Sequence, residues 1–158
     1  MKENYSEIVG GVSTKENVAL VNVHGIGFVD ASDAIADAFN AIKEEDINVL
    51  MITKGSCEPT ISIVIEEKHL SKAVNAIRDK FGNGNIQKIN KERDIAILTV
   101  LNIKGPGKPG IAGRIFRKMG ENNINIKMIS QDPSEFDISF VVNKKNIEKS
   151  MEVLRKLE

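Results

Sequence analysis

The sequence predicts an α+β protein of two small units, each with the element order βαββαβ and an antiparallel sheet, one unit inserted in the other. The chain repeats itself at a shift of 77 residues: Val18–Val23 falls on Ile95–Val100, and Asp46–Thr53 falls on Asn123–Ser130. This period exceeds those of solenoid repeats, so each copy is expected to be a domain with its own core. The second copy also stops one strand early, which predicts the insertion.

The first copy contains each element of the predicted order. Val18–His24 is apolar and rich in β-branched residues, which predicts a strand. Apolar residues from Ala34 to Ile42 recur at helical spacing, and the same spacing predicts a second helix from Leu70 to Phe81. The other strands are predicted at Ile47–Thr53, Thr60–Ile65 and Ile86–Asn90. This order is the ferredoxin-like split motif, in which helices cover one face of the sheet.

The second copy ends directly after its second helix, so its last strand must come from elsewhere. The 77-residue shift places Val9 and Val12 over Ile86 and Ile89. We therefore expect the segment 8–13 to complete the second unit. The predicted domains are residues 18–93 for the first unit and residues 1–17 plus 94–158 for the second.

Composition excludes several classes of function. The 22 Lys and Arg residues balance 22 Asp and Glu residues, so there is no basic excess for binding nucleic acid. No apolar run is long enough for a transmembrane helix, so no membrane partner is expected. A single cysteine, Cys57, excludes an internal disulfide and is typical of a cytoplasmic protein.

Gly105–Gly110 matches the G-x-G-x-x-G pattern between a strand and a helix. The pattern indicates dinucleotide binding in a doubly wound sheet, but here a turn and a third strand follow the second strand. The alternative is an anion site for a small carboxylate, because Gly107, Gly110 and the helix start present free N–H groups. A plain strand-to-helix turn also fits.

The first copy carries Asp30, Ser32 and Asp33 at the matching place. They fit helix capping, and Asp30 also fits a carboxylate that receives an ammonium group. Asn48 and Asn125 open the second strand of each copy, where solvation and ligand binding are both compatible with the pattern.

No catalytic residues and no cofactor are predicted. His24 and His69 have no cysteine or carboxylate at metal-ligand spacing, so no metal site is expected. No nucleophile motif, Walker loop or paired general acid and base is present in the sequence.

The repeat resembles the paired ACT domains that form the regulatory half of aspartokinases. The most specific segments are Pro109–Phe116 and Asn125–Gln131, and the similarity covers nearly the whole chain. It implies ACT-type units and feedback control by lysine or threonine, bound where one ACT unit meets another. This chain contains no kinase segment, so the resemblance implies an excised regulatory domain, a separate regulatory subunit or a free-standing relative. In the first two cases an aspartokinase catalytic domain or subunit is the expected partner.

The resemblance and the loop arguments together give candidate effector-binding residues in both units, and whether one or both loops bind stays open. The sequence departs from the family pattern at two places that bear on the identity of the effector. Lys54 occupies in the first unit the position of Gln131 in the second, and Val29–Asp33 lacks the Pro-Gly step usual in the family's first unit. The candidate effector-binding residues are Asp30, Ser32, Asp33, Ala34, Ile35, Asn48, Gly107, Gly110, Asn125, Ile126 and Gln131.

Two functions remain open at this stage. One is a regulatory amino-acid sensor, and the other is a dimerisation or assembly module whose loops bind nothing. A homodimer is expected in either case, since each unit is predicted to have one uncovered sheet face and free strand edges.

Overall fold

The structure, a computed structural model, describes residues 9–25, 31–55, 60–82, 86–102, 107 and 109–156. Its strands and helices alternate in two similar series. In chain order they are β1 (Val9–His24), α1 (Ala31–Glu44), β2 (Val49–Lys54), β3 (Thr60–Glu66), α2 (Leu70–Phe81), β4 (Lys88–Asn102), α3 (Ile111–Glu121), β5 (Ile126–Gln131), β6 (Asp137–Asn143) and α4 (Ile147–Arg155).

The chain divides into two compact units, Asn17–Arg93 and Met1–Glu16 with Asp94–Glu158. The strand order is β2-β3-β1-β4-β6-β5, and both β1 and β4 contribute residues to each unit. In the first unit β3 pairs antiparallel with β1 and with β2. In the second unit β6 pairs in the same way with β4 and β5. The predicted α+β class and antiparallel pairing are confirmed.

Each unit has its own apolar core. In the first unit, alternate residues of β1 and β3, such as Val21 and Ile63, pack with Ile42 and Ile77 from its helices. In the second unit, Leu98 and Phe140 pack with Ile115 and Leu154 in the same pattern. Alternation on the strands and 3.6-residue spacing on the helices therefore bring one apolar face of each element together.

The N-terminal half of β1 contributes to the second core, and the start of β4 contributes to the first. Val12 packs against the second core, whereas Ile89 packs against the first. The strands predicted separately at 86–90 and from Ile95 onward are one continuous strand, β4. Likewise β1 joins the segment from Val9 to the strand predicted from Val18. The polar residues between the apolar runs predict a break in each strand, but β1 and β4 each continue through them.

The prediction that the sheet face without helices lies uncovered is wrong for the middle of both units. Leu20 pairs with Val64 and Val64 with Met51, one residue out of phase with the core positions. All three are buried, and so are the equivalent residues of the second unit, Ile97, Met128 and Val141.

The second strands begin later than predicted, at Val49 and Ile126. The N–H groups of Ile47 and Ile124 instead complete the turns that end the preceding helices.

Candidate functional site

The loop between β4 and α3 depends on two glycines in the left-handed region. Gly107 has φ 77° and Gly110 has φ 89°, conformations that favour glycine because it has no Cβ. Gly110 is the N-cap of α3, and its carbonyl accepts the first helical hydrogen bond from the Arg114 N–H at 3.1 Å. A Cβ added at either glycine would meet nothing within 4 Å. The glycines therefore serve backbone conformation, and the space beside them is open.

One N–H of this loop already has an anionic partner. The Gly107 N–H donates to Oε2 of Glu135 at 2.6 Å. The 77-residue shift places Glu135 over Glu58, and neither residue is among the predicted effector-binding residues. The equivalence of these two carboxylates in the two copies is the sequence signal from which the contact could be found.

Glu135 is held by the turn between β5 and β6. Its N–H donates to the Asp132 carbonyl at 2.8 Å, and the Ser134 N–H donates to Oδ1 of Asp132 at 2.6 Å. Hydrogen bonds from the Ser134 side chain and then from its backbone hold the pKa of Asp132 below its ordinary value. The turn thus stabilises the ionised form of Asp132 close to Glu135, the residue that contacts the Gly107 loop.

The predicted residues of the second unit lie at both ends of its sheet. Gln131, exposed at the end of β5, pairs with Ile138 at the end that also holds the Gly107 loop. Asn125 and Ile126 lie at the beginning of β5. A strand of this length spans roughly 17–20 Å, so these two positions cannot touch one ligand together with Gly107 of the same unit.

The predicted site residues of the first unit also lie at two separate places. Asp33 is exposed in the first turn of α1, whereas Asn48 is exposed just before β2. Ala34 is buried and Ile35 packs against the core, so these two offer a ligand only their backbone groups. Asp30 lies outside the described residues. Ser32 belongs to α1, and its side chain is likewise outside the described part of the chain.

A polar cluster that the sequence analysis missed lies at the end of β1 in the first unit. The His24 ring has Nδ1 3.5 Å from Thr60 Oγ1 and Nε2 3.1 Å from Asn90 Nδ2. The His24 carbonyl accepts from the Gln87 N–H at 3.1 Å. The equivalent position in the second unit is Leu101, which is 43% exposed. The two units are therefore chemically unequal at the ends of their first strands.

The exposed polar side chains of the candidate site, such as Asp33 and Gln131, can hydrogen-bond a ligand, and Asp33 can also neutralise a positive charge on it. Within the described ranges, no cluster of three His, Cys, Asp or Glu side chains could hold a metal ion. No helix in the described part of the chain is long and apolar enough to cross a membrane.

Comparison with known proteins assigns the family. The sequence profile of the ACT domain matches residues 21–81 and 99–157, one match in each repeat. The chain belongs to the ACT domain family. Each match begins within the first strand of a repeat, and the matches extend to the last residue of α2 and past the last residue of α4, so the two ACT units follow the 77-residue repeat.

The chain is similar in sequence to proteins named as aspartokinases. The chain is 32% identical over 142 residues to the bifunctional aspartokinase/homoserine dehydrogenase 1 of Arabidopsis thaliana. It is 29% identical over 147 residues to the second such enzyme of the same plant. These alignments cover 87% and 90% of this chain but only 16% of each relative. The chain therefore spans about a sixth of the length of these relatives.

Solved structures share the whole fold. The regulatory subunit of aspartate kinase from Thermus thermophilus, in its ligand-free form, superposes with a TM-score of 0.82 at 21% identity. That match covers 95% of this chain and 98% of the subunit. A chain from a structure of aspartokinase alpha and beta subunits gives 0.83 at 21% identity, covering 94% and 97%. The predicted resemblance to the aspartokinase regulatory region is confirmed.

Proposed function

We propose that this chain is a regulatory module of the aspartokinase type that senses an amino acid. The observation that carries the proposal is the near end-to-end match of its paired ACT units with the regulatory subunit of aspartate kinase. The relatives are named as aspartokinases, and this chain corresponds to only a small part of them. The module therefore controls a kinase supplied by another domain or subunit and performs no catalysis alone.

The proposed effector is free lysine or threonine, bound where one ACT unit meets another. Its carboxylate would bind the N–H groups at the start of α1, near Asp33 and Ala34, where the helix dipole favours an anion. Asp30 would bind its ammonium group. Because Asn125 and Ile126 lie at the far end of their own sheet from its loop, they would have to serve a loop of another unit. A homodimer in the cytoplasm is part of this proposal.

A thermal-shift screen of the twenty amino acids tests the sensor function. A ligand that binds only the folded state raises the melting temperature by mass action. Lysine or threonine should raise it, and Asp30→Ala should weaken that response about ten- to a hundred-fold, because a charged hydrogen bond is lost. Glu44→Ala is the control, since Glu44 is exposed at the opposite end of α1.

The ligand-free behaviour of Asp30→Ala separates capping from binding. A lower melting temperature without ligand would assign Asp30 to helix capping. An unchanged response to the amino acid would remove Asp30 from the site. If no amino acid shifts the wild-type protein, the sensor function is wrong.

The alternative is an assembly module that binds no small molecule. The contact between Glu135 and Gly107 favours it for the second unit, because an N–H of that loop is already occupied. Light scattering distinguishes the two functions when it is combined with the amino-acid screen. A stable dimer without any amino-acid response supports assembly alone, whereas a monomer with and without amino acids contradicts the proposed homodimer.

A further inference from the structure

The contact between Glu135 and Gly107 has the chemistry of a bound carboxylate. A carboxylate oxygen accepts a backbone N–H at 2.6 Å, at a loop that leads into the N-terminus of α3. Charge-assisted hydrogen bonds to backbone N–H groups are short and stronger than neutral ones. The group that a free amino acid would offer to this loop is the same chemical group, a carboxylate.

The turn that carries Glu135 holds this carboxylate in place. Glu135 has φ 60°, a left-handed conformation that is uncommon for a residue other than glycine. The Asp132 carbonyl accepts the Glu135 N–H, and the Asp132 carboxylate accepts the Ser134 N–H, which fixes the turn on both sides. The side chain therefore leaves the turn from a defined backbone position. A group tethered in this way acts at an effective concentration in the millimolar range or above.

We propose that Glu135 occupies the place of a ligand carboxylate and so closes the loop of the second unit to amino acids. Glu135 is a specificity-determining residue, and its role rests on the proposed sensor function. A backbone N–H has one hydrogen to donate, so a free carboxylate can bind the Gly107 N–H only by displacing Glu135. The displaced side chain would remain tethered nearby and repel the incoming anion. Amino-acid sensing therefore falls to the first unit.

Acetate is the probe for this proposal, since it is the smallest ligand with the relevant group. The readout is the Gly107 amide signal in a ¹H–¹⁵N NMR spectrum of the full chain. The variants are Glu135→Gly, which suits φ 60° while removing the carboxylate, and Glu135→Gln, which keeps the side-chain length. Glu148→Ala is the matched control, because Glu148 is an exposed carboxylate on α4.

The expected result is an acetate response that depends on Glu135. In Glu135→Gly the Gly107 signal should move in the ligand-free protein, and acetate should return it towards its wild-type position. The wild type and Glu148→Ala should need at least about ten-fold more acetate for any movement, because a charged hydrogen bond must first be broken. Glu135→Gln should fall between them, since its amide oxygen still accepts a hydrogen bond but carries no charge.

Two results would overturn the proposal. One is an equal acetate response of Gly107 in the wild type and in Glu135→Gly. The other is a folded Glu135→Gly protein, shown by its remaining amide signals, in which Gly107 ignores acetate. Neither result depends on a natural effector, so this experiment fails independently of the amino-acid screen.

Discussion

Asn17 and Asp94, 77 residues apart, adopt the same left-handed conformation, each with φ 55° in the interior of a strand. The pairing of β1 with β3 begins at Val18, and the pairing of β4 with β6 begins at Ile95. Both residues also mark the boundary between the two compact units. Asn and Asp tolerate this conformation better than most residues, because their short polar side chains hydrogen-bond locally.

Replacing either residue by valine should destabilise the protein at the boundary. A left-handed conformation costs an L-residue roughly 1–2 kcal/mol, and a β-branched side chain is among the least tolerant. Asn17→Val and Asp94→Val should each lower the free energy of unfolding by about that amount in urea denaturation. Asn17→Gly and Asp94→Gly should change it by less than about 1 kcal/mol. The control is Lys91→Val at an exposed position of β4, and an equal loss there would contradict the backbone explanation.

The first helix of each unit ends in the same motif. Asp46 and Asn123 have φ 58° and 56°, and the N–H groups of Ile47 and Ile124 donate back to Ile42 and Met119. This is the Schellman arrangement, in which a left-handed residue ends the helix and the next apolar residue packs on it. Ile47 and Ile124 are both buried.

Asn123 should therefore accept glycine but not alanine. Asn123→Ala should lower the free energy of unfolding by about 1 kcal/mol, because alanine has neither glycine's freedom nor a side chain that compensates. Asn123→Gly should leave that energy unchanged or raise it slightly. Thermal unfolding of the three proteins measures both effects, and an equal loss in the two variants would contradict a backbone origin.

The sequence predicts the elements of this fold better than it predicts their continuity. The 77-residue register and the apolar spacing identify every helix and nearly every strand. The sequence pattern divides the continuous strands β1 and β4 at the polar residues 14–17 and 91–94. The last residues of these segments, Asn17 and Asp94, are of types that usually mark turns. Here tertiary pairing on either side continues the strand through a left-handed residue.

The candidate site was only partly predictable, because its contacts join segments that are distant in the chain. The glycine loop was identified from spacing, but its partner Glu135 is 28 residues away from Gly107. The cluster around His24 was also missed, since Asn90 lies 66 residues further along. Local patterns indicate where a loop can bind an anion, whereas the fold decides which side chain reaches it.

Phe140 is the largest fully buried side chain of the described residues, and it tests the second core. Its ring meets Phe116 edge-to-face, with centroids 5.6 Å apart. Phe140→Ala should lower the free energy of unfolding by about 3–5 kcal/mol, because it removes buried apolar area and leaves a cavity. Phe136→Ala should cost less than about 0.5 kcal/mol, since Phe136 is 57% exposed. Comparable losses in the two variants would contradict this account of the core.

The turn at Asp132 should loosen in acid. Because folding lowers the pKa of this carboxyl group, its contribution to stability is complete above its unfolded pKa and is lost as the pH falls through the folded value. An NMR titration from pH 6 to about pH 2 should show the Ser134 amide moving below about pH 4. Asp132→Asn should abolish that movement. A titration that persists in this variant would assign the effect to another carboxyl group.

Val12 and Ile89 provide a test of the proposed domains, residues 18–93 and residues 1–17 plus 94–158. Both are partly buried, and each packs against the core of the unit that is completed by its strand. If the units are separate folding domains, Val12→Ala should speed amide exchange in α3 and α4, although Val12 precedes the first unit in the chain. Ile89→Ala should speed exchange in α1 and α2 instead. Losing a partly buried branched side chain costs about 1 kcal/mol or more, enough for a five-fold change in exchange from local opening. Equal effects on all four helices in both variants would show that the chain unfolds as one unit.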